Sequence, residues 1–162
     1  MQYLSILQLL ILVTLANGAP VISKRILANH FAWPFDGNLN FIDGRPLFGS
    51  SKTIRGVLVA VFVTTACAPL LGLEFRIGLV VGATAMAGDL FSSFVKRRLG
   101  LPPSSRATGL DQIPESLFPA IACSQALSLT ALDIVVAVAI FFVGEQLLSR
   151  LLFRLHVRDR PY

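Results

Sequence analysis

Gly88–Asp111, GDLFSSFVKRRLGLPPSSRATGLD, places a carboxylate inside an apolar run and follows it with three consecutive cations. An ionisable residue in such surroundings is a functional hypothesis by default. On a helix, Asp89, Ser92, Ser93, Lys96, Arg97 and Gly100 fall at i, i+3, i+4, i+7, i+8 and i+11, which is one face, while Leu90, Phe91, Phe94 and Val95 take the others. Ala85, Gly82 and Gly78 continue the stripe toward the N-terminus. Gly78 to Gly82 is a GxxxG spacing that lets a second helix approach closely. The carboxylate is therefore expected to look into a helix bundle or its cavity, and not at lipid.

The rest of the chain supplies that bundle. Its 162 residues are 54% hydrophobic and 14% charged, with a mean hydropathy of +0.72, which excludes an ordinary soluble domain. The apolar material comes in blocks of roughly 17 to 22 residues, each long enough at 1.5 Å per residue to cross a hydrocarbon core of about 30 Å. The fold class expected is all-α: a polytopic transmembrane bundle forming a single integral membrane domain, with spans at about residues 3–22, 57–73, 77–95, 113–132 and 134–153.

Cations set the orientation. With the N-terminus outside, the loops at about 23–56 and 96–112 and the C-terminal tail hold 12 of the 14 Lys and Arg residues, Arg150 lies near the same end of the fifth span, and only Arg76 is left opposite. This predicts an N-out, C-in protein of the cell (inner) membrane, its basic loops facing the cytoplasm. A sequence pI near 9.9 then reflects anionic headgroups or phosphorylated substrates, and no soluble basic domain is present to meet nucleic acid. The first block has the apolar centre of a signal peptide but no basic start. Lys24 and Arg25 follow it, as suits a retained helix.

Residues 29–55 are rich in Gly, Asn, Asp and Pro and read as a connector, with Trp33 and Phe35 at the interface. Its end, Gly49-Ser50-Ser51-Lys52-Thr53-Ile54-Arg55-Gly56, crowds flexible backbone, hydroxyls and two cations at the membrane edge, a composition suited to holding phosphate. The glycine pattern is not that of a Walker A loop. Pro69 is expected inside the second span, and Cys67 and Cys123 to pack as small apolar groups. After Arg98 the helix should stop near Gly100, with Pro102 and Pro103 beyond it. A short return then brings Asp111, Gln112 and Glu115 to the head of the fourth span. Asp89 and Asp111 thus reach one membrane face, and oxygen ligands in that number suit Mg²⁺, which takes the rest of its shell from water and substrate phosphate. Glu145 and Arg150 lie in the fifth span, followed by arginines 154, 158 and 160 that read as interfacial anchors.

Three motifs in order, Gly49-x-x-Lys52-Thr53-x-Arg55-Gly56, Gly88-Asp89-Leu90-x-x-Ser93-Phe94-x-Lys96-Arg97-Arg98-Leu99-Gly100 and Leu110-Asp111-Gln112, resemble the CDP-archaeol synthase family of membrane cytidylyltransferases, relatives of the phosphatidate cytidylyltransferases. The resemblance runs from about Gly37 to Phe118. It implies Mg²⁺-dependent transfer of CMP from CTP to a lipid phosphate, with release of pyrophosphate at the cytoplasmic face. By position it implies Asp89, Asp111 and Lys96 as catalytic residues, with Asp89 and Asp111 as metal ligands and Glu115, one residue beyond the family's second aspartate, as a candidate third. Lys52, Thr53, Arg55, Ser93, Arg97 and Arg98 would bind substrate phosphates. One departure stands out: members commonly read LDQLD after the return loop, whereas this chain reads LDQIPE, so Pro114 replaces an aspartate and Glu115 follows it. Pro114 is also the best argument for the alternative, a non-catalytic lipid- or phosphate-binding assembly factor or small transporter. The glycine stripe would serve a homodimer as readily as an internal contact.

Overall fold

The computed structural model describes residues 1–28, 30–105 and 107–154, the last six by backbone alone. Arg106, His156, Arg158 and Arg160 lie outside the described residues. The elements are α1 (Tyr3–Leu27), α2 (Ile54–Cys67), a 3₁₀ turn (Pro69–Leu71), α3 (Phe75–Arg98), α4 (Gln112–Ala122) and α5 (Ala131–Arg154). Among the described residues there is no strand, only two isolated bridges in the loop between α1 and α2.

Four stretches are long and apolar enough to cross a membrane: Tyr3–Leu27, Ile54–Leu71, Phe75–Arg98 and Ala131–Leu148. The fourth apolar block differs from the expected span. Its helix has 11 residues and gives way to turns before α5. The chain still passes from one end of the bundle to the other there. Gln112, heading α4, bonds Glu145 of α5, while Asp133 at the opposite end of α5 accepts the backbone N–H of Gln2, ahead of α1. Both long loops therefore lie at one end of the bundle, and the N-terminus lies at the other.

Two helix ends are set by local chemistry. Pro69 does not sit within a helix: α2 stops at Cys67, and the proline, lacking an N–H, opens the 3₁₀ turn where no donor is needed. α5 starts on a capping box, in which Thr130 Oγ1 accepts from Asp133 N at 3.2 Å and Asp133 Oδ2 accepts from Thr130 N at 3.0 Å.

Packing relies on small residues. Lipid tails are as apolar as leucine, so helices in a bilayer associate by close contact more than by leaving water. A Cβ on Gly78 would lie 2.3 Å from Thr64 O, and one on Gly82 would lie 2.2 Å from Thr64 Oγ1 and 2.9 Å from Val61 Cα. The glycine stripe is thus spent on α2, inside the chain. Ala16, Ala60 and Ala85 bring α1, α2 and α3 together below Met86. Cys123 is buried with Leu9, Leu12, Val81 and Phe141, and Cys67 packs against the same cluster; both thiols are free, as their apolar setting suggested.

Candidate functional site

The site is built where α3 turns back into α4. A Cβ on Gly88 would stand 2.3 Å from Pro114 O and 2.8 Å from Glu115 N, so only glycine lets the α4 backbone lie directly on α3. That contact sets Glu115 against Asp89, their carboxyls close enough to share a hydrogen bond. α3 ends as its sequence indicates: Gly100 has φ +74°, and Leu101 N returns to Lys96 O at 3.0 Å. The return loop is then fastened from its own residues. Asp111 Oδ2 accepts from Ala107 N at 2.9 Å, Asp111 Oδ1 pairs with Lys96 Nζ at 2.6 Å, and Lys96 Nζ also donates to Ser105 O. Gln112 accepts from Gly109 N and donates to Glu145 Oε2, both at 2.8 Å, which ties α5 to the loop.

The loop between α1 and α2 closes the other side, and it is more than a solvated connector. Asp36, only 6% exposed, accepts three backbone N–H groups, from Asn38, Phe48 and Gly49, at 3.0, 2.9 and 3.1 Å. Burial alone would raise its pKa, but these bonds outweigh it and hold the carboxyl below the ordinary range. Phe35 N to Lys52 O and Ile54 N to Trp33 O fold the loop's two ends together. Thr53 then caps α2, accepting from Gly56 N at 3.1 Å. Lys52, just ahead of that cap, places Nζ 2.5 and 2.6 Å from the two carboxylate oxygens of Asp89. Burial would lower the pKa of its ammonium, yet the charge and hydrogen bonds of Asp89 hold it above the ordinary value.

Between these segments lies a cavity of about 290 Å³. Lys24, Lys52 and Lys96 face it together with Asp89, Asp111, Glu115 and Glu145. A second cavity of about 210 Å³ lies beside it, bounded by Thr53, Arg55, Gly56, Val57 and Leu90. Lys52, Asp89, Lys24 and Ser51 line both. The structure thus brings together Asp89, Asp111, Glu115, Lys52 and Lys96, and sets Thr53 and Arg55 next door.

Ser93, Arg97 and Arg98 line neither cavity, so their expected role in binding phosphate has no support from their placement. Ser93 is buried. Arg97 donates to Pro102 O at 2.8 Å and lies beneath Gly49. The Arg98 guanidinium sits 4.8 and 4.9 Å from the rings of Phe41 and Phe94 and pairs with Asp43 at 2.6 Å, while Arg45 caps the carbonyl of Arg98 at 2.6 Å. Both arginines lock the first loop and the return loop to the end of α3. Residues whose place in the site was not foreseen are Lys24, which reads as a topology cation, Asn17, which sits unremarked in an apolar block, and Asp36. The sole signal available for Asn17 was a polar amide four turns into a hydrophobic helix.

A divalent cation fits the donor set. Asp89 and Glu115, two carboxyls set against each other, form a place where such an ion would relieve like-charge repulsion. Among the described residues no three acidic, His or Cys side chains converge on one point. That suits an ion held by one or two carboxylates and completed by phosphate and water. Asn17 Nδ2 and Ser105 Oγ, on residues lining the same cavity, have no hydrogen-bond partner among the described residues, which leaves polar capacity for a ligand.

The fold and site define a class: a small helical membrane protein whose acids and lysines meet in a cavity at one end of the bundle. A family model described as CarS-like, CDP-archaeol synthase, matches residues 5–162. The CDP-archaeol synthase of Sulfurisphaera tokodaii is 38% identical over 135 residues, covering 80% of this chain and 81% of that one. That of Pyrobaculum aerophilum is 30% identical over 152 residues, covering 91% of each. A solved structure described as an intramembrane enzyme for archaeal membrane lipids biosynthesis superposes with a TM-score of 0.73 at 30% identity, over 85% of this chain and 88% of that one. The chain belongs to the CDP-archaeol synthase family, a family of membrane lipid cytidylyltransferases.

Proposed function

We propose that the protein transfers CMP from CTP to the phosphate of an archaeol-type membrane lipid, releasing pyrophosphate, at the cytoplasmic end of the bundle. The observation that carries this reading is the convergence of Asp89, Asp111, Glu115, Lys52 and Lys96, from three separate segments, on one cavity. The family name supports the acceptor, and the gathering of basic loops at one end supports the side.

Asp89 and Glu115 would hold Mg²⁺, with Asp111 in the same cavity. Bound there, the ion would neutralise charge on the nucleotide phosphates. Lys52 and Lys96, which pair with Asp89 and Asp111, would turn to the phosphates of the incoming nucleotide. An oxygen of the lipid phosphate attacks the α-phosphorus; the bond from that phosphorus to the bridging oxygen breaks, and the electron pair leaves with pyrophosphate. The nucleophile is already anionic, so the protein needs no base or covalent intermediate. It supplies position and offsets charge. Pro114 does not argue against this reading, because its carbonyl packs on Gly88 and the next residue, Glu115, carries a carboxylate into the cavity.

Purified protein in detergent, given CTP, Mg²⁺ and a phosphorylated dialkyl- or diacylglycerol, should release pyrophosphate. Asp89→Asn should reduce the rate on the order of 10²-fold or more. No release from the wild type with either acceptor class overturns the reading.

A further inference from the structure

The activity proposed above demands two phosphorylated ligands, and the site has two adjoining compartments with different linings. We infer that they divide the labour: the larger cavity takes the nucleotide polyphosphate, and the smaller one, at the head of α2, takes the phosphate end of the lipid.

Charge separates the two. The larger cavity carries four carboxylates, Asp89, Asp111, Glu115 and Glu145, which repel a bare phosphate and suit one that arrives with a divalent ion. Of those four only Asp89 borders the smaller cavity, where Lys52 already neutralises it. Cations dominate the rest of that wall: Lys24, Lys52 and Arg55. A phosphate monoester without metal is the anion such a lining binds.

A second observation points the same way. Arg55 is only 9% exposed, spends Nη1 on the carbonyls of Ala28 and His30, and leaves Nε without a partner among the described residues. A buried guanidinium with a spare donor sits beside the first turn of α2, a 14-residue helix whose dipole adds positive potential.

The remaining lining is mixed, with the hydroxyls of Ser50, Ser51 and Thr53 beside the cations and an apolar wall opposite. That wall is made by Pro20, Ala28, Ala32, Val57, Met86 and Leu90, and it suits the first chain carbons of a lipid below a phosphate held by the cations and hydroxyls. The compartments meet at Lys52 and Asp89, so an acceptor oxygen and an α-phosphorus placed in them face each other across that pair. Arg55 is then an acceptor-specificity residue, and Lys24, open to both compartments, completes the charge at their junction.

The test is steady-state kinetics of Arg55→Lys and Val57→Phe with CTP and the lipid phosphate varied separately. Arg55→Lys alters the guanidinium and its loop bonds; Val57→Phe fills the smaller cavity without removing a hydrogen bond. Both should raise the KM for the lipid phosphate roughly tenfold and leave that for CTP within about twofold. A rise confined to CTP overturns the assignment and places the nucleotide in the smaller cavity, and an equal rise in both overturns the division into two compartments. Should the wild type show no turnover, thermal shifts separate the two ideas. Stabilisation by a short-chain dialkylglycerol phosphate, absent with inorganic phosphate or pyrophosphate and lost in both variants, upholds the compartment while the transfer reading fails. Equal stabilisation by inorganic phosphate shows a plain anion hole and refutes a lipid site.

Discussion

Gly88 determines whether the site exists. A methyl group there would stand 2.3 Å from Pro114 O, and backbone on both sides prevents easy relief. Gly88→Ala should therefore push α4 away from α3, costing about 1–3 kcal/mol of stability and separating Glu115 from Asp89. A lowered Tm together with loss of Mg²⁺-dependent stabilisation would check it; an unchanged Tm would contradict the packing. Asp36 acts by hydrogen bonding. Its folded pKa lies below the unfolded value, so its contribution is complete above about pH 4 and fades as pH falls through the depressed value. Asp36→Asn should remove about 1–3 kcal/mol from the first loop at neutral pH. Hydrogen exchange at Phe48 and Gly49 should speed up in the variant at pH 7, and in the wild type only under acid.

At the scale of elements, α2 and α3 form one seam closed by Gly78 and Gly82 against Thr64 and Val61. Gly82→Val should open it, lowering Tm and activity together, while leaving unaltered any oligomeric state measured in detergent, because the stripe is spent internally. A shift from dimer to monomer would show that this face serves a partner instead. The elements were largely legible. α3, its stop at Gly100 and the return to Asp111 follow from an i, i+4, i+7 stripe and a Gly-Leu-Pro-Pro sequel, which local rules determine. The fourth block was not, because apolar length counts residues and does not reveal that Cys123–Ser128 leave the helix as turns. Pro69 lies inside the second span as expected, but at a change from α-helix to 3₁₀ turn that hydropathy does not show.

For the molecule as a whole, site residues separated by up to 128 positions, from Asn17 to Glu145, meet at one end of the bundle. The acids and lysines of α3 and of the loop ends were recognisable from their motifs. Lys24 was not, as nothing in an anchor-like helix distinguishes a cation set by topology from one that borders a cavity, and Asn17 carries no charge to mark it. The same convergence hid the structural work of Arg97 and Arg98, whose neighbours Pro102, Phe41 and Asp43 come from two different loops. Single cysteines at Ser5 and Thr108 in an otherwise Cys-free background should react with an impermeant thiol reagent from outside and from inside respectively; labelling with the opposite sidedness would invert the molecule. The most direct test of the central claim is transfer of α-labelled CMP from CTP to a phosphorylated archaeol-type lipid by the purified protein. The account predicts labelled lipid that requires a divalent ion and is lost in both Asp89→Asn and Glu115→Gln, whereas labelling that persists in Glu115→Gln, or never occurs in the wild type, would contradict it.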